Sequence, residues 1–333
     1  LEVLGHFLKT FAFIKKVLKT GEDSGLSMKH NLTVTLSLVL LFLIAQMVGL
    51  VTVSRYIDIK ATSETGITQV YNEKYIIAPP EIEESTSFIY IILAVLFGTG
   101  LALLIVRFKK VLLWKAWFFT SVMLCLTLGI FPYVEIVAKW LIGSIATKTL
   151  SLLTIAIALA ITTWKIFWPN IIIYNLAEIF IYSGIAALLV PVLNLPSVII
   201  LLLLISLYDF WAVNKTKHMV TLAKFQTSTK MFAGLVFPYK AQRHVSKPTP
   251  NRPILQQVTK QGILGGGDIA FPLLLSGVVL KTTGSFLSAF IVSLFAAASL
   301  LVLFLVAKKD KYYPAMPILT LGCLLGVLLT AFI

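Results

Sequence analysis

The chain has 333 residues, of which 58% are hydrophobic and 13% charged. Its mean hydropathy of +0.94 excludes an ordinary soluble domain, where apolar usage sits near about 45–50%. The net charge of +14 would fit a nucleic-acid partner if it formed one patch, but the basic residues are dealt out between apolar stretches, and that reading is set aside.

In chain order, residues 1–31 form a basic N-terminal segment. Leu4, Leu8, Phe11, Ile14 and Leu18 recur at helical spacing, which predicts an amphipathic helix, either lying in the membrane interface or solvated on one face. Lysines interrupt LGHFLKTFAFIKKVLKT throughout, so it does not read as a secretory signal. From residue 32 onward, nine stretches approach the about 20 apolar residues that cross a bilayer: 32–54, 87–106, 112–130, 147–167, 170–190, 192–213, 263–280, 284–307 and 314–333. FPYVEIVAKWLIGSIATK, between the third and fourth, is itself semi-apolar and leaves their limits open. Continuous rather than alternating apolarity excludes a membrane β-barrel. The expected fold is therefore an all-α integral membrane protein, a polytopic helical bundle of about nine transmembrane helices over residues 32–333. Cys125 and Cys323 fall inside spans and read as small buried hydrophobes.

With nine spans, alternate connections lie on opposite sides. One side, holding the N-terminus, residues 107–115, Lys165, the loop 214–262 and residues 308–311, carries 22 of the 28 Lys and Arg. The excess of basic residues on the cytoplasmic side of membrane proteins then places the N-terminus in the cytoplasm and the C-terminus outside. Loop 214–262 reads as a helical stretch around HMVTLAKFQTSTKMFAGLVF followed by a flexible, basic, proline-marked run.

Three of the fourteen acidic residues remain within spans: Glu178, Asp209 and Asp268. A carboxylate at a helix centre costs roughly 2.5–3.5 kcal/mol even on the lenient insertion scale, so each is a functional candidate. Glu178 has Asn175 one turn away and reads as a polar link between helices or the lining of a water path. Asp209 lies near the inner end of the sixth span and Asp268 near the inner start of the seventh. Antiparallel neighbours bring both to one depth. Two carboxylates within hydrogen-bond reach do not both ionise readily, so one retains a proton. Such a pair can activate water with one member and protonate a carbonyl or leaving nitrogen with the other. This is aspartyl-protease chemistry.

Asp268 is preceded by Gly265, Gly266 and Gly267 in ILGGGDIAFPLLLSG. Each glycine costs about 1 kcal/mol relative to alanine inside a helix, and Gly265 leaves room for another backbone to approach the carboxylates. A phosphate-cradling loop would need Lys and Ser or Thr after the glycines, and neither is present.

Tyr208-Asp209 in one span, Gly265-Gly266-Gly267-Asp268 in the next, and Pro314-Ala315-Met316-Pro317 at the start of the last resemble the intramembrane aspartyl proteases of the presenilin and signal peptide peptidase family. The hallmarks of that family are YD, GxGD and PxL. The resemblance spans residue 32 to the end and is strongest over 200–275. AVNKTKHMVTLAK looks like archaeal members, whereas LVFP and GDIAFP look like signal peptide peptidases. The resemblance implies that Asp209 and Asp268 are the catalytic pair and that Tyr208 and the three glycines shape the site. It further implies that Pro314, Ala315 and Met316 lie against the pair and position substrate, with Met316 standing where leucine is usual. No cofactor or metal is implied. The partners implied are the bilayer and the transmembrane segments of substrate proteins, with the cell membrane of an archaeal-like prokaryote as location. The N-in, C-out orientation matches presenilins. Loop 214–262 has no apolar plug to be cut away, so activity as one uncut chain is expected.

Other chemistries fit less well. His6, His30, His218 and His244 lie outside the span cores and no HExxH occurs, against a zinc protease. Ser183 and Ser276 have no histidine at their depth, against a serine protease. The alternative from another class is an ion or proton-coupled transporter or leak channel using the intramembrane carboxylates.

Overall fold

The computed structural model describes residues 32–71, 79, 82–108, 110–143, 146–168, 170–213, 233–244, 255–307 and 313–332. The amphipathic helix expected within residues 1–31 lies outside them. Along the chain run α1 (Leu32–Tyr56), the short α2 (Ile59–Thr65), α3 (Ser87–Arg107), α4 (Val111–Ile142), α5 (Thr147–Phe167), α6 (Ile171–Leu189) and α7 (Leu195–Trp211). A hairpin of β1 (Gly234–His244) and β2 (Leu255–Gly265) follows, then α8 (Gly266–Thr283), α9 (Phe286–Val306) and α10 (Met316–Thr330).

Among the described residues, α1, α3, α4, α5, α6 and α9 are long and apolar enough to cross a membrane. The expected count of nine is not reached on that criterion. The helices predicted as the sixth, seventh and ninth spans have 17, 18 and 15 residues, and α8 also carries Asp268 and Lys281. At 1.5 Å per residue, 17 residues give about 26 Å, short of the roughly 30 Å hydrocarbon core. These three short helices are the ones that carry Asp209, Asp268 and the segment at Met316.

Helix α8 is the hub. It packs against α1, α2, α6, α7, α9 and α10, and every residue from Pro272 to Lys281 is buried, as expected of a helix that is apolar on all sides. Lipid offers no hydrophobic gain for helix association, so close packing and internal hydrogen bonds hold the bundle. At the crossing of α4 and α6, a Cβ on Gly184 would lie 2.9 Å from the main-chain nitrogen of Gly129, so glycine is what allows that approach. Helix α4 settles the third span: it continues through Pro132 for 32 residues, absorbing most of the semi-apolar stretch.

The hairpin corrects the reading of loop 214–262. Gly234–Phe237 form a strand rather than the end of a helix, and the basic run Tyr239–His244 continues it. Ile263–Gly265, assigned from sequence to the seventh span, are the last residues of β2. The ladder is antiparallel, from Gly234 opposite Gly265 to His244 opposite Leu255, and it packs on α1 and α6.

Candidate active site

Helix α7 begins with Asn194, whose side chain accepts a hydrogen bond from the Ser197 N–H, and has proline in its first turn, both favourable helix starts. Its buried residues are Ser197, Val198, Leu201, Leu202, Ile205, Ser206 and Asp209. That spacing is one helical stripe, so Asp209 ends an inward-facing row and is 8% exposed. Phe210 and Trp211 are exposed on the apolar outer side.

The start of α10 is built around Asp209. The Met316 N–H donates to Asp209 Oδ2 at 3.1 Å, and the Ala315 main chain bonds the same carboxylate. These belong to the first N–H groups of a helix, which have no partner within it, and the positive end of the helix dipole faces the carboxylate. One turn back along α7 and one turn on along α10, Ser206 Oγ and Thr320 Oγ1 are 2.6 Å apart, pinning α7 to α10.

Asp268 lies in the first turn of α8, where a carboxylate is favoured by the helix dipole. Its side chain is hydrogen-bonded by the Gly265 main chain, and the Asp209 carboxylate is near enough to act on it electrostatically. Pro272 stands four residues on and lacks the N–H that would engage the Asp268 carbonyl. The next carbonyl, Ile269 O, accepts from Gln46 Nε2 of α1 at 2.9 Å.

The three glycines have different reasons. Gly265 has φ −64° and ψ 144°, open to any residue, but a Cβ there would lie 3.1 Å from Asp268 Oδ2. The close neighbour is thus the carboxylate of Asp268 itself rather than another backbone. A Cβ on Gly266 would lie 2.9 Å from Tyr182 Oη, whereas one on Gly267 would meet nothing closer than 3.6 Å.

Tyr208 is placed beside Asp209 but on the wall of a lateral apolar groove of about 470 Å³ between α3 and α7, with Ile92, Val95, Leu96, Leu204 and Trp211. Glu178 is kept out of the pair. It forms an ion pair with Lys165, both side chains 1% exposed, and accepts from Tyr182 Oη. Lys165 also lies 4.7 Å from the centre of the Tyr174 ring. Lys165, counted from sequence with the basic residues of the cytoplasmic side, is a buried partner on α5. Asn175 does not bond Glu178; it reaches the hairpin. Both contacts were missed by inspection of the sequence, because each joins segments whose relative placement only the packed bundle defines. At the opposite end of the bundle Lys281 pairs with Glu84 at 3.2 Å and donates to the Pro191 carbonyl at 3.1 Å. Among the described residues no cluster of three or more His, Cys, Asp or Glu could hold a metal ion.

Fold and site together define a membrane-embedded helical protein with two carboxylates in electrostatic reach of each other, one at the end of α7 and one in the first turn of α8. The family model described as signal-peptide peptidase, presenilin aspartyl protease matches residues 39–333; the chain belongs to this family and is an aspartic endopeptidase of the membrane. Two solved structures of a presenilin family intramembrane aspartate protease, in C222 and P2 space groups, share its fold. They are 20% and 19% identical, cover 90% and 89% of this chain and 98% and 97% of their own, and give TM-scores of 0.56 and 0.54. No curated protein matches the chain.

Proposed function

We propose that Asp209 and Asp268 are the catalytic dyad and that the enzyme hydrolyses peptide bonds within transmembrane helices of membrane proteins. The observation that carries this reading is the approach of two carboxylates from α7 and α8, close enough to interact, with main-chain donors from Met316 and Gly265 holding them. One carboxylate, ionised, takes a proton from water as its oxygen bonds to the scissile carbon. The other, protonated, donates to the carbonyl oxygen, giving a neutral tetrahedral diol. Return of a proton to the leaving nitrogen lets the C–N bond break into acid and amine. Because one proton is shared, activity falls at low pH, where both are protonated, and at high pH, where both are ionised.

The substrate helix approaches from the lipid through the groove at Tyr208 and must unwind to expose a peptide bond. An extended segment can then be held by main-chain hydrogen bonds. Pro314, Ala315 and Met316 line its path beside Asp209. The basic segment 1–31 precedes the protease domain, residues 32–333, with the N-terminus in the cytoplasm and the C-terminus outside a prokaryotic cell membrane. The 22-to-6 distribution of basic residues supports that orientation and a preference for substrates whose N-terminus faces outside. Purified protein with a labelled single-span peptide in detergent tests the reading. Wild type should cut within the span while Asp209→Ala and Asp268→Ala do not, and equal cleavage by either variant would sink it.

A further inference from the structure

Asn175, Glu178 and Tyr182 recur at i, i+3 and i+7 on α6 and so share one face, and all three are buried. Asn175 Nδ2 donates to the Val236 carbonyl at 2.8 Å, and the Val236 N–H donates to Asn175 Oδ1 at 2.9 Å. A carboxamide carries a donor and an acceptor in one plane, as a peptide group does. Asn175 therefore pairs with the outer edge of β1 as a neighbouring strand would. Both polar main-chain atoms of Val236 turn to Asn175, so neither serves β2, and Val236 faces Ile263 in the ladder as a non-hydrogen-bonded pair. Two residues beyond Ile263 the strand ends at Gly265, which bonds Asp268. Seven residues beyond Asn175, Tyr182 Oη lies under Gly266, leaving no room for a Cβ. Its hydroxyl is fixed by Glu178, and Glu178 by Lys165.

We propose that this face of α6 is the template that places Asp268 opposite Asp209, with Asn175 as a side-chain strand on β1 and Tyr182 as the floor beneath Gly266. The inference rests on the dyad reading and adds positioning residues to it. A buried carboxamide in a membrane helix is costly, and its position here is explained by the strand edge it completes. The hairpin cannot slide along α6 without breaking both bonds to Val236. A slide would carry Gly265 and Asp268 with it, and displacement of a reacting group by about 1 Å costs on the order of 10²-fold in rate.

The test is a double-mutant cycle on the full-length enzyme in detergent. Asn175→Ala removes the side-chain partner. Val236→Pro removes the N–H on an edge that does not serve the ladder, where proline is tolerated. Cleavage of the single-span reporter is expected to show kcat reduced roughly tenfold to a hundredfold in each, with KM within about twofold. The double variant should be no worse than the poorer single, because both break one contact. Hydrogen exchange of residues 234–237 and 263–266 should rise in both. Additive losses, or an Asn175→Ala enzyme with kcat within twofold of wild type, would overturn the proposal. If Asn175→Ala fails to fold, Val236→Pro carries the same comparison. A wild type that cleaves no reporter would count against the dyad reading instead, and unchanged exchange of the hairpin in either variant would still refute the clamp.

Discussion

Glu178 and Asp268 occupy the same bundle, and Tyr182 stands between them, bonded to the first and within electrostatic reach of the second. Their neighbourhoods are opposite. Glu178 has a buried cation, Lys165, and a phenol. Asp268 has a second carboxylate and a main-chain donor, and among the described residues neither it nor Asp209 forms an ion pair. Like charges repel across a low-dielectric interior, and among the described residues the Asp268 site has no opposite charge to fix it, whereas Glu178 holds Lys165. A matched buried charge is fixed in place. A mismatched pair is free to take up and release a proton, as the proposed dyad chemistry requires.

Asparagine at either aspartate gives the widest separation. Asp209→Asn or Asp268→Asn keeps shape but cannot exchange the proton, and turnover of a single-span reporter should fall by at least roughly 10³-fold, because acid and base act as a unit. Thermal unfolding in detergent should show no loss of stability, since the amide oxygen still accepts the main-chain donors and no charge is left unpaired. Lys165→Met reverses the pattern: it strands the Glu178 charge and should cost roughly 3–5 kcal/mol in unfolding free energy.

The glycines sharpen the comparison at smaller scale. Gly266→Ala places a methyl 2.9 Å from Tyr182 Oη and should destabilise by roughly 1–3 kcal/mol. Gly267→Ala meets only ordinary contacts and should stabilise α8 by up to about 1 kcal/mol, read as a higher unfolding midpoint. Smallest of all is Lys139→Met. It removes the exposed pair with Glu135 on α4 and should change stability by less than about 1 kcal/mol, the same ionic chemistry as Lys165 without the burial.

Much of this contrast was legible before the structure. Asp209 and Asp268 each fall a few residues from the same end of antiparallel spans, so depth alone paired them, and the proline-bearing segment at Met316 fell at that end too. The cation for Glu178 was not legible. Lys165 sits in the last turn of α5 and counts, by sequence, with the basic residues of the cytoplasmic side; only the packing of α5 on α6 brings it to Glu178. The hairpin was hidden for a related reason. Pro238, Lys240 and Arg243 in β1 and Lys260 in β2 suggest a solvated loop, and the pairing is made by partners distant in sequence and by Asn175, 61 residues from Val236. By sequence the glycine run reads as a weak helix start. Gly265 and Gly266 are set by Asp268 and Tyr182, and Gly267 by neither, because those neighbours meet only in the packed bundle.

The most direct test of the central claim uses binding rather than turnover. A peptide carrying a hydroxyethylene group in place of the scissile amide mimics the tetrahedral diol, and such analogues bind 10²–10⁸-fold more tightly than substrates. Titrated calorimetrically into detergent-solubilised wild type, Asp209→Asn, Asp268→Asn and Lys139→Met, it should bind wild type and Lys139→Met alike and each asparagine variant at least about 100-fold more weakly. Equal affinity for all four proteins would contradict the assignment of Asp209 and Asp268 as the groups that hold the reacting centre.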